Sequence, residues 1–133
     1  MRIGIFGGDT AERTIDDVIE HARLAEGAGF SSYSLPQIFA LDAMGVLAIV
    51  GREVPRITLA TGVVPTYGRH PLTMAQQALT VQAASGGRFK LGIGLSHQMV
   101  IEGMRNSDAS NVCSATFRAS GVPRNAGTSS FIV

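Results

Sequence analysis

Dense apolar runs alternate along this chain with longer stretches in which apolar residues return every three or four positions. The first run, Arg2 to Phe6, is Ile-rich and closed by Gly7-Gly8, which predicts a short buried strand. Thr14 then precedes Ile15, Val18, Ile19, Ala22 and Ala25, a stripe at helical spacing. Asp17 is placed to meet the unpaired amides of its first turn, and Gly27 and Gly29 end the helix. Phe30 to Leu35, stopped by Pro36, predicts a second strand. Asp42 caps a second helix through Met44, Val46, Leu47 and Val50, closed by Gly51 and Pro55. Arg56 to Val64 is the third strand expected, with Ile57, Leu59, Val63 and Val64 lying between Pro55 and Pro65. Pro71 fits the first turn of a third helix in which Leu72, Ala75, Leu79 and Ala83 share one apolar face, and Gly86-Gly87 breaks it. Phe89 to Leu95 predicts a fourth strand whose Leu91, Ile93 and Leu95 alternate with Gly92 and Gly94. Glycines in those places imply that something approaches the backbone closely.

The resulting order is β-α-β-α-β-α-β, with units of roughly thirty residues, and strict alternation implies a parallel sheet. An open doubly wound sheet and a closed barrel of eight units both satisfy it. The 133 residues fall well short of the roughly 250 such a barrel requires, so length alone favours the open sheet. The pattern stops after Met104. Residues 105–133 show no sustained period and are expected to form a poorly ordered tail, with a change of reading frame or a truncated gene product as the hypothesis for its abrupt onset.

Composition narrows the partners more than the fold. With 45% hydrophobic and 16% charged residues the chain can bury a core, and a formal charge of +1 gives no pull toward nucleic acid or an anionic membrane. No apolar segment approaches the roughly 20 residues of a membrane span, and the N-terminus, with Gly and Asp breaking its brief apolar stretch, does not read as a signal peptide. A cytoplasmic protein acting on a small molecule is the expectation, and the single thiol of Cys113 is assigned no role.

Familiar nucleotide and metal motifs are missing. Gly4, Gly7 and Gly8 have the wrong spacing for G-x-G-x-x-G, and after Gly92-x-Gly94 His97 stands where a third glycine belongs. No Walker motif occurs, His21, His70 and His97 are too scattered to ligate a metal, and Ser96, His97 and Asp42 lack the elbow of a hydrolase triad. His21 reads as a solvated or partly packed helical residue. Arg69 and His70 read as organisers of the loop into the third helix, and Tyr67 as a partly exposed packing residue.

Two segments carry more information: Thr61-Gly62-Val63-Val64-Pro65-Thr66-Tyr67-Gly68-Arg69-His70-Pro71 and Ser85-Gly86-Gly87-Arg88-Phe89-Lys90-Leu91-Gly92-Ile93-Gly94. With Ala75-Gln76-Gln77 and Thr80 between them, they resemble the luciferase-like monooxygenase superfamily, (β/α)8 barrels that use flavin mononucleotide (FMN) or the deazaflavin coenzyme F420. Leu35-Pro36-Gln37 and the first strand look most like the deazaflavin branch. The resemblance covers residues 1–104 and reverses the preference for an open sheet. The fold class it implies is α/β, parallel (β/α) units forming a truncated half of a (β/α)8 TIM barrel.

The resemblance also implies a site. In such proteins a bulge after the third strand, often with a non-prolyl cis peptide, supports the central ring of the cofactor, and Gly62-Val63 holds that place. Gly94, Ser96 and His97 fall at the end of the fourth strand beside the ring, and Gln37 falls where many relatives carry an acidic residue and His. Gln37 forms hydrogen bonds but cannot shuttle a proton, which leaves His97 as the acid–base candidate. The activity implied is hydride transfer between F420, or FMN in its place, and a small organic substrate. The alternative is an inactive member that dimerises or aggregates through open sheet edges.

Overall fold

The computed structural model describes residues 1–8, 10, 13–37 and 41–95. Three helices form where the caps place them. Helix α1 (Ile15–Gly27) starts at a capping box in which the Thr14 hydroxyl accepts from the Asp17 amide at 3.1 Å and the Asp17 carboxylate accepts from the Thr14 amide at 2.8 Å. The Thr14 hydroxyl, which lies 2.7 Å from the carboxylate and can donate to it, and after it the Thr14 amide hold the Asp17 carboxyl below its ordinary range. Helix α2 (Ala43–Glu53) begins at Asp42, whose carboxylate accepts from the Gly45 amide at 2.8 Å. Helix α3 (Pro71–Ala84) has Pro71 in its first turn and His70 as its cap, with Nδ1 accepting from the Leu72 amide at 3.2 Å.

The first two predicted strands form as β1 (Gly4–Phe6) and β2 (Ser32–Leu35). The third and fourth are each interrupted, giving β3 (Thr58–Thr61) and β4 (Val64–Pro65), then β5 (Phe89–Lys90) and β6 (Ile93–Gly94). All pairings are parallel. The main sheet runs β1-β2-β3-β5 and a short second sheet pairs β4 with β6. Strand order therefore follows chain order without the reversal that marks a doubly wound sheet. Helix α2 packs on both α1 and α3, so the three helices cover one face of the sheet in sequence. That is the wall of a barrel, and it overturns the open sheet that length favoured.

Register divides the residues by face. Ile5, Tyr33, Leu59 and Phe89 are cross-strand neighbours on the helix side, where Tyr33, Leu35 and Leu59 are fully buried with Val18, Leu47 and Val50. Phe6, Ser34, Ala60 and Lys90 form the neighbouring row on the opposite face, which no described helix covers. There Ser34 and Ala60 are half-buried and Phe6 is 58% exposed. Burial pushes the Tyr33 phenol up against a smaller opposing pull from Arg13, and its hydroxyl lies 3.2 Å from His21 Nδ1. His21 is thus a packing residue, as its helical position predicts.

The third helix corrects one expectation. Leu72 and Leu79 are 61% and 68% exposed and Ala75 and Ala83 also face outward, whereas Met74 and Val81 are buried. Apolar residues lie on two sides of α3, and helix α2 selects the side carrying Met74 and Val81.

Candidate functional site

The interruption of the third strand is a β-bulge. Ala60 pairs with Lys90 and Val64 with Ile93, so three residues (Thr61, Gly62, Val63) stand opposite two (Leu91, Gly92). One extra residue is inserted into this strand, which offsets its end and increases the local twist. The Gly62–Val63 bond is trans, as are the other described peptide bonds, so the offset is made by the bulge and the cis peptide that the resemblance suggested is absent at this place.

Backbone contacts hold the bulge from both sides. Toward β2, the Gly62 amide donates to the Leu35 carbonyl at 2.6 Å and the Gln37 amide donates to the Val63 carbonyl at 3.1 Å. Toward the fourth strand, the Val64 amide donates to the Gly92 carbonyl and the Thr66 amide to the Gly94 carbonyl, each at 2.9 Å. These contacts explain the two glycines. A Cβ on Gly92 would lie 2.5 Å from the Thr61 carbonyl oxygen, and one on Gly94 would lie 2.6 Å from Val63 Cγ1. What approaches the fourth strand closely is the bulge of its neighbour.

Four residues named from the sequence are thereby brought together: Gln37, Gly62, Val63 and Gly94, at the carboxyl ends of adjacent parallel strands. Ser96 and His97, the remaining two, lie outside the described residues, as do Cys113 and the tail 105–133. Sequence reasoning missed Phe6, whose ring crosses the helix-free face so that Cε2 would meet a Cβ on Gly62 at 2.6 Å. An aromatic residue immediately before Gly7-Gly8 was the available signal.

The loops behind the site are braced by polar contacts. Gln37 Oε1 accepts from the Ala43 amide at 2.8 Å, which commits that oxygen to the start of α2 and leaves its amide NH2 as the donor that can face a ligand. Arg69 donates to Asp42 Oδ1 at 2.8 Å and to Gln77 Oε1 at 2.7 Å, tying the loop after β4 to both α2 and α3. Arg69 and His70 therefore organise the loop, in keeping with their place in the sequence. Gln37, Gly62, Val63 and Gly94 offer main-chain amides and carbonyls, one side-chain amide and an apolar shelf. Such a surface can seat and orient a flat heterocycle, but these four residues cannot transfer a proton.

Sequential parallel strands, helices on one face and a bulged site at the carboxyl ends define a (β/α)-barrel wall of the kind that positions a ligand at the strand ends. The chain belongs to the luciferase-like monooxygenase family, which it matches over residues 1–112. It is 34% identical over 103 residues to Rv3520c of Mycobacterium tuberculosis, a protein described as a coenzyme F420-dependent oxidoreductase, a match that takes in 77% of this chain and 30% of that one. Among solved structures it is similar to the coenzyme F420-dependent tetrahydromethanopterin reductase of Methanopyrus kandleri, with a TM-score of 0.66, 25% identity and coverage of 79% of this chain and 29% of the reductase. It shares the fold of the oxygenating constituent of 3,6-diketocamphane monooxygenase from Pseudomonas putida, solved with FMN, at a TM-score of 0.66, 19% identity and coverage of 90% and 37%. The chain thus spans about a third of the length of these relatives. Among the described residues no helix is long and apolar enough to cross a membrane.

Proposed function

We propose that this chain forms the ring-binding portion of an F420-dependent oxidoreductase acting on a small organic substrate, with FMN as the alternative cofactor. The observation that carries the reading is the one-residue bulge at Gly62-Val63, clamped between Leu35, Gln37 and Gly92 at the carboxyl ends of the strands. A backbone shelf of this kind can seat a planar ring once the exposed ring of Phe6, which lies over Gly62, swings aside. When bound, the deazaflavin supplies hydride transfer, and the protein supplies orientation and exclusion of water. Gly62 and Val63 back the ring, Gln37 offers an amide donor, and Gly94 with Ser96 borders the edge. His97 is the residue assigned to hold or move a proton on the substrate.

Titrating the 133-residue chain with oxidised and reduced F420, and separately with FMN, tests the reading. Saturable binding of F420 in at least one redox state is expected, and no binding of any of the three ligands removes the proposal for this chain.

Non-catalytic self-association is a second reading, favoured by exposed apolar side chains on α3 and along the fourth strand. Leu72 and Leu79 of α3, Ile93 of β6 and Leu95 are all more than half exposed, and Leu91 joins them. Sedimentation of the full chain is expected to give a species heavier than the monomer, and Leu79→Lys is expected to shift it toward monomer. A wild-type chain that sediments as a monomer at high concentration counts against this reading.

A further inference from the structure

We infer that Thr61 is the positioning residue of the cofactor site, its hydroxyl locking the bulge to the strand beside it. The inference rests on the reading of Gly62-Val63 as the ring shelf and adds the group that fixes that shelf in place. Thr61 is 4% exposed and on the helix side of the sheet, so its hydroxyl is away from water and requires protein partners. Both partners come from one residue. Thr61 Oγ1 accepts from the Gly92 amide at 2.7 Å and donates to the Gly92 carbonyl at 2.9 Å. The side chain thereby replaces, across the gap between the β3–β5 and β4–β6 pairings, the main-chain ladder that the bulge interrupts.

The Gly92 carbonyl also accepts from the Val64 amide at 2.9 Å, which is where strand pairing resumes. Gly62 and Val63 are therefore pinned at both ends to the same glycine, through the Thr61 hydroxyl before the bulge and the Val64 amide after it. Valine has nearly the shape of threonine but neither donates nor accepts. It would leave the Gly92 amide without its partner and the Gly92 carbonyl with one donor in place of two. Serine keeps the hydroxyl and loses only a methyl. Thr61 touches no cofactor in this arrangement and acts through Gly92 and the bulge.

The test uses the full chain with Thr61→Val and Thr61→Ser, read by titration with oxidised F420 and by hydrogen exchange of individual amides. In Thr61→Val the dissociation constant is expected to rise about tenfold, the size of one net hydrogen bond to a buried group. The amides of Gly92 and Val64 should exchange about tenfold faster while that of Leu59, in the core of β3, changes less than about twofold. Thr61→Ser should stay within about twofold of wild type in both readouts. Three results overturn the inference: wild-type behaviour of Thr61→Val, equal acceleration at Leu59 and Gly92, or weakening by Thr61→Ser as large as by Thr61→Val. If the wild-type chain binds no F420, the ring-shelf reading falls, and the exchange pattern at Gly92 and Val64 alone decides whether Thr61 fixes the bulge.

Discussion

Gly92→Ala is expected to destabilise the chain by about 3 kcal/mol, the upper end of what overpacking a close-packed site costs. The added methyl carbon would lie 2.5 Å from the Thr61 carbonyl oxygen and 3.2 Å from that of Gly62. Both obstacles are backbone atoms, and the backbone around them is held by the Gly62 amide on the Leu35 carbonyl and the Val64 amide on the Gly92 carbonyl. No side chain can rotate away to relieve the contact. Relief requires the third and fourth strands to separate, which breaks the Val64 bond and both bonds of the Thr61 hydroxyl. Urea denaturation of the full chain measures the loss as a shift in midpoint. A change below about 0.5 kcal/mol, the ordinary range of a surface substitution, would show that the strands do not approach as closely as this register requires.

The same glycine shows how far the sequence could be read. A glycine pair in a predicted strand implies close approach by something, and that much was legible from Gly92 and Gly94. The approaching group was not, because it is set by pairing with residues some thirty positions earlier. A one-residue insertion shifts the buried positions from Leu59 and Thr61 to Val64, but the adjacent apolar pair Val63-Val64 hides that shift in the sequence. Local signals fared better. Thr14 with Asp17, Asp42 and Pro71 each act within one helical turn, and each helix begins where they place it. Helix α3 marks the boundary of what periodicity decides. With Leu72 and Leu79 on one side and Met74 and Val81 on another, two faces compete, and packing of α2 makes the choice. Winding is likewise global: β-α alternation is shared by open sheets and barrels, and only the strand order β1-β2-β3-β5 separates them. The family could be inferred earlier than the geometry because two motif segments carry it, and part of what they imply for the site, Ser96 and His97, lies past the described residues.

Gly62→Ala has the opposite expected profile, a small effect on stability and a large one on binding. Here the nearest obstacle to a new methyl group is Phe6 Cε2 at 2.6 Å, with the Leu35 carbonyl oxygen at 3.4 Å, an ordinary contact. Phe6 is 58% exposed on the helix-free face, so its ring can swing outward at little cost, and the change in stability should stay within about 1 kcal/mol. The methyl group then projects from the bulge on the face where the cofactor ring is proposed to lie. A planar ring cannot bend around it, and moving the ring outward forfeits its contact with the shelf, since dispersion falls off steeply over fractions of an ångström. Affinity for oxidised F420 is expected to fall about 30-fold, equivalent to about 2 kcal/mol. Comparing Gly62→Ala with Gly92→Ala separates the two uses of glycine in this site: one, at Gly92, admits a neighbouring backbone, and the other, at Gly62, admits only the movable ring of Phe6 on the face where the ligand is proposed to lie. Unchanged affinity in Gly62→Ala, with wild-type stability, would mean that the ring does not rest on Gly62, and the bulge would then be a device for joining strands only.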